Sequence, residues 1–133
     1  MQLLKLPLIE GENNASQILA GAQTLAVQIT HNAGNDFIIE GFRIQFNGNI
    51  EEVKIRLYDA QRNRDIITPN SPIGTIGDKR GIAPIIPFQK LHDPIILKSG
   101  QSVQLFVNNT TAGTIAAKDI SLSLFGYQVA SEM

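Results

Sequence analysis

The stretch that most constrains this chain is Phe37–Asp59, FIIEGFRIQF-NGN-IEEVKIRLYD. In its first half Ile38, Phe42, Ile44 and Phe46 share one face, interrupted only by Glu40, while Arg43 and Gln45 take the other. In its second half Val53, Ile55 and Leu57 alternate with Lys54, Arg56 and Tyr58. Period-two alternation is strand patterning, because successive side chains leave opposite faces of a pleated backbone. Asn47-Gly48-Asn49 accepts the positive φ of a tight turn, so the stretch is predicted to be a β-hairpin. A hairpin with one apolar and one polar face cannot stand alone, and the rest of the chain must supply a second layer.

The remaining sequence offers that layer. Thr24–Thr30 alternates with Leu25, Val27 and Ile29 facing inward. Ile95–Leu97, a turn at Ser99-Gly100, a strand with Val103, Leu105 and Val107 on one face, and a closing strand with Ile120, Leu122 and Leu124 follow the same rule. Between them, Pro69 to Gln89 holds four prolines and three glycines, which rule out a helix and any long central strand. It reads as a long ordered loop. Leu3, Leu4, Leu6 and Leu8 around Pro7 form an extended apolar lead-in, either an edge strand or, over about residues 1–9, an arm lying on a neighbouring subunit.

This pattern predicts an all-β fold, a single antiparallel β-sandwich spanning 1–133. A Cys…Trp…Cys core is absent, and irregular crossings occur early in the chain and at 69–89. Both favour a jelly-roll-like arrangement, with an immunoglobulin-like sandwich as the alternative.

Composition narrows function by exclusion. A net charge of −1 gives no general attraction for nucleic acid, so no specific nucleic-acid partner is expected. No stretch approaches the roughly 20 apolar residues of a membrane-spanning helix, and no signal peptide is visible. Without cysteine there is neither a disulfide framework nor a thiolate metal site. His31 and His92 are far apart, each beside turn residues and without ligand spacing, and are expected in surface or loop roles. The carboxylates form no acid–base pair, and no cofactor or metal is expected. The chain is read as non-enzymatic, since no nucleophile, base and orienter cluster in sequence.

Two features need a choice. Glu40 breaks an apolar face beside Gly41, which suggests a one-residue bulge that re-aims it outward; the alternative is a buried carboxylate paired across a subunit interface. Arg56, Arg62, Arg64, Lys79 and Arg80 suggest a docking patch for an acidic surface or a phosphate, but the interleaved Asp59, Asp65 and Asp78 dilute it and favour a solvated loop or local salt bridges.

The segment PIILKSGQSVQLFVNNTTAG, followed by ISLSLFGYQV, resembles a pattern in small β-sandwich structural proteins of tailed bacteriophage virions. Residues Ile95 to Asn109 and Ile120 to Val129 carry the resemblance. It implies a head decoration (cement) or minor capsid protein, often trimeric, located in the virion and contacting other capsid or virion proteins. On that expectation the apolar centre of an interface comes from Leu3, Leu4, Leu6 and Leu8 with Ile73, Ile76, Ile82, Ile85, Ile86 and Phe88, and Arg62, Arg64, Lys79 and Arg80 add charge. The alternative is a ligand- or receptor-binding sandwich, for carbohydrate or a host surface. It would use the loops His31–Asp36 and Thr110–Ala117 with Tyr58 or Tyr127.

Overall fold

The computed structural model describes residues 2–13, 17–32, 34–79, 89–116 and 118–132. The described elements are β1 (Gln2–Asn13), β2 (Gln23–Thr30), β3 (Phe37–Phe46), β4 (Lys54–Asp59), β5 (Arg64–Asp65) and β6 (Ser71–Pro72). After these come α1 (Ile73–Ile76), β7 (Asp78–Lys79), β8 (Gln89–Leu97), β9 (Ser102–Asn108) and β10 (Ile120–Glu132).

Two sheets result. The first runs β1-β10-β3, with β8 and β7 sharing the far edge of β3; the second runs β2-β9-β4, with β5 and β6 sharing the far edge of β4. Pairing is nested along the chain: β1 with β10, β2 with β9, β3 with β8, and β4 with β5 and β6. The chain crosses between sheets after β1, β2 and β3, stays in the second sheet through β6, returns to the first for β7 and β8, and crosses again after β8 and β9. This is jelly-roll order, and it decides against the immunoglobulin-like alternative.

The core lies between the inner faces. Phe42, Ile44 and Phe46 of β3 and Ile120, Leu122 and Leu124 of β10 meet Ile55 and Leu57 of β4 and Val103, Leu105 and Val107 of β9, all buried. Each such side chain stabilises the fold by about 1.5–3 kcal/mol relative to exposure.

The predicted hairpin does not form. Its two strands exist, but β3 pairs with β10, β8 and β7, and β4 with β9, β5 and β6. Residues 47–53 arch from one sheet to the other, held by Asn47 N–H donating to the Asp119 carbonyl at 2.8 Å and Val53 N–H donating to that of Ile50 at 3.0 Å. Both strands carry a full apolar face, and crossing the core places these faces opposite each other. Gly48 has a φ of +80°, so the turn chemistry was right while the pairing was not.

The bulge at Glu40 is present. In the ladder with β10, Gly126 is opposite Ile39 and Phe125 opposite Gly41, leaving Glu40 unmatched and exposed. The extra residue also reverses the inward phase: Phe37 and Ile39 face the core before it, Phe42, Ile44 and Phe46 after it. Ile38, expected on the buried face, is therefore half-buried on the outer one. A second register shift between Leu25 and Val27 leaves Leu25, expected inside, 39% exposed while Ala26 and Val27 are buried.

The Pro/Gly-rich stretch holds one helical turn, Ile73–Ile76, where a helix was not expected. Four residues between Pro72 and Gly77 suffice for a single turn, closed by Gly77 N–H donating to Ile73 O at 2.7 Å.

Candidate interaction surfaces

The lead-in carrying Leu3, Leu4, Leu6 and Leu8 is the outermost strand of the first sheet, not an arm reaching away from the domain. Its backbone pairs with β10 from Gln2 opposite Glu132 to Asn13 opposite Ser121. Alternating apolar residues fit such a ladder, and the register is continuous over twelve residues.

The orientation of that ladder follows from one bond. Val129 N–H donates to the Asp36 carbonyl, so odd-numbered residues of β10 aim their backbone groups toward β3 and even-numbered ones toward β1. The register then turns even-numbered residues of β1 toward β10 and leaves the odd-numbered ones, Pro7 among them, on the outer edge. Proline is tolerated there because its missing N–H faces away from the ladder. Among the described residues that outer edge has no strand partner.

The apolar residues expected at an interface from the 69–89 stretch divide. Ile73 is fully buried in the core and its N–H donates to Val53 O at 2.7 Å, so it is not available to a partner. Ile76 is partly buried against the same core. Ile82, Ile85, Ile86 and Phe88 lie outside the described residues, as does Arg80.

The described basic residues of the expected patch, Arg56, Arg62, Arg64 and Lys79, take part in local ion pairs. Asp59, fully buried at the end of β4, accepts from Arg62 Nη1 at 3.0 Å, with Arg64 Nε at 3.8 Å. Arg62 Nη2 also donates to the Ile96 carbonyl at 3.1 Å, tying the second sheet to β8 of the first. Burying a carboxylate is costly without such compensation. Lys79 donates to Glu51 at 3.1 Å and Asn49 at 3.2 Å, binding β7 to the arch. A backbone hydrogen bond within Glu51, then the Lys79 side chain, hold the Glu51 carboxyl below its ordinary 4.5.

On the outer face of the second sheet Arg56 lies over the Tyr58 ring, 4.5 Å from its centroid, and 5.9 Å from that of Phe106. Its Nε donates to Asp65 at 2.5 Å, and this bond raises the guanidinium above its usual range. The result is a fixed, half-buried platform, and composition alone did not single it out.

The two histidines part ways. His92 is exposed, as expected. His31 is fully buried: its Nε2 donates to the Asn35 carbonyl and its ring packs 5.5 Å from that of Phe37. Turn composition around it concealed that it seals one end of the core.

The loops of the alternative reading are separated. His31 exchanges backbone bonds with Gly100 and Gln101, while the 109–116 segment is tied to Ile18, Gly21 and Ala22. These attachments sit at opposite ends of β2, whose eight residues span about 25 Å. They cannot line one site. Asn109 anchors the second loop: fully buried, it donates to Ile18 O and Gly113 O and accepts from Thr111 N–H and Oγ1.

Among the described residues no group of three or more His, Asp and Glu side chains is placed to hold a metal ion, and no helix is long and apolar enough to cross a membrane. No protein-family model, curated protein or solved structure matches the chain.

Proposed function

We propose that this chain is a non-enzymatic structural subunit of a virion, of the capsid decoration or minor capsid kind, that acts through subunit–subunit contacts. The jelly roll is compatible with this role but does not select it, since the same architecture serves capsid, lectin and cupin proteins. The observation that carries the reading is the outer edge of β1. A twelve-residue strand whose outer edge has no strand partner among the described residues is a template for another chain. Pro7 interrupts that edge in its middle, which limits added pairing to the Ile9–Asn13 side or the Leu3–Lys5 side. Such pairing gives a ring where the rotation between subunits closes and a fibre where it does not. A trimer is the size that the resemblance implies, with other capsid or virion proteins as further partners.

The test is a second proline on the free edge. Ile9→Pro removes an outward donor without removing a bond to β10, and Ile9→Ala controls for the lost side chain. Dissociation of the oligomer by Ile9→Pro alone, with circular dichroism unchanged, supports the reading. An oligomer indifferent to both variants removes β1 from it.

A further inference from the structure

A pocket of about 160 Å³ opens on the flank of the sandwich, where β5 of the second sheet faces β8 of the first. One wall is Arg64, Asp65 and Ile66; the other is Leu91, His92, Asp93 and Ile95. The second wall exists because β8 leaves its ladder. Ile95 pairs with Ile39 and Lys90 with Gly41, so the four residues Leu91–Pro94 stand opposite Glu40 alone. Pro94 has no N–H to give a ladder, and the excursion carries His92 and Asp93 out of the regular pleat. Bulges of this kind re-aim side chains and recur beside binding sites.

The charges in the pocket are unequally satisfied. Asp65 is held by Arg56 at 2.5 Å. Asp59, the carboxylate paired with Arg64 among the described residues, is already bound by Arg62 at 3.0 Å; Arg64 stands off at 3.8 Å with 52% of its side chain exposed. Asp93 makes no ion pair among the described residues and is exposed. One weakly held cation therefore stands on one wall and one unpaired anion on the other. Between them Ile66, Leu91 and Ile95 supply an aliphatic floor, and Ile95 is itself a core residue.

We propose that this pocket binds a small aliphatic α-amino acid in its zwitterionic form. The carboxylate lies on Arg64, the ammonium on Asp93, and the alkyl side chain over Ile66 and Leu91. The volume suits a ligand of this size. A ligand with net charge leaves one wall unmatched, and among the described residues no Phe, Tyr or Trp lines the pocket to stack on a sugar, its one ring being the His92 imidazole. The proposal concerns a site separate from the β1 edge and stands whether or not the chain assembles.

The experiment is an amide NMR titration of the full chain with L-norvaline, against n-pentanoate and n-butylammonium, which each keep one charge and the alkyl stem. Charge-assisted hydrogen bonds at both ends lead us to expect saturable shifts at Arg64–Ile66 and Leu91–Asp93, with norvaline binding at least about tenfold tighter than either fragment. Asp93→Asn weakens norvaline about tenfold and leaves pentanoate unchanged; Arg64→Met weakens norvaline and leaves butylammonium unchanged. Both sites are on the surface, and preserved dispersion of the remaining amides shows that each variant folds. Norvaline binding no tighter than the fragments, shifts that do not saturate, or insensitivity to both variants overturns the proposal.

Discussion

Gly126 lies opposite Ile39, so close to the neighbouring backbone that a β carbon on it would stand 1.9 Å from the Ile38 carbonyl oxygen. No side chain fits there, and the contact sits where the Glu40 bulge breaks the β3–β10 register. Gly126→Ala is therefore expected to destabilise the fold by about 3 kcal/mol, since backbone must move to admit a methyl group. Urea denaturation checks this against Gly34→Ala, where nothing lies within 4 Å. Equal midpoints for the two variants would contradict the close approach.

Arg62 is the better of the two partners of buried Asp59 and also reaches β8 through Ile96. Arg62→Ala leaves the carboxylate with Arg64 and the residue-62 backbone N–H, which donates at 3.4 Å, and should cost about 3 kcal/mol. Arg64→Ala, which removes the longer contact from a half-exposed side chain, should cost less than about 1 kcal/mol. Chemical denaturation of both variants tests the ranking, and a reversed order would contradict it.

Asn109 uses both ends of its amide, and neither alanine nor aspartate can replace it. Asn109→Ala removes all four bonds, although Ile18 O keeps the Ile115 N–H and Gly113 O keeps Thr111 Oγ1; Asn109→Asp loses the two donations and adds a buried charge. Each should destabilise by roughly 2–4 kcal/mol, with faster amide exchange across 110–116 before global unfolding. A tolerated Asn109→Asp would show that the donated bonds are dispensable.

Glu51 gives the acid response a sign. Its folded-state value lies below the ordinary 4.5, so its contribution is present above that value and is lost as pH falls through the lower, folded one. Stability measured from pH 6 to 3 should fall less steeply in Glu51→Gln than in the parent. Salt should shrink the difference, because the Lys79 pair is exposed to solvent. Parallel curves would remove Glu51 from the acid response.

Much of the fold was legible because strand alternation and core burial report the same thing. Val103, Leu105 and Val107, and again Ile120, Leu122 and Leu124, are inward where alternation placed them. Glu40-Gly41 announced its bulge by breaking an apolar face. Alternation does not encode which strand lies beside which, so β3 and β4 were paired with each other when they pair with β10 and β9. The phase change past the bulge was equally silent, and it moved Ile38 outward. Ile73 was lost in a Pro/Gly-rich context that suggested exposure, although one helical turn carries it into the core. The pocket beside β8 draws on residues from two sheets separated by more than 20 positions, and no local pattern reports such a meeting.

The proposed role requires this jelly roll to bind copies of itself and a lattice. Its most direct test is the native mass of the purified full chain by light scattering across a wide dilution series. A closed oligomer, a trimer of the 14.5 kDa chain, is expected to persist on dilution. A monomer at every concentration, up to the highest reached, would contradict it.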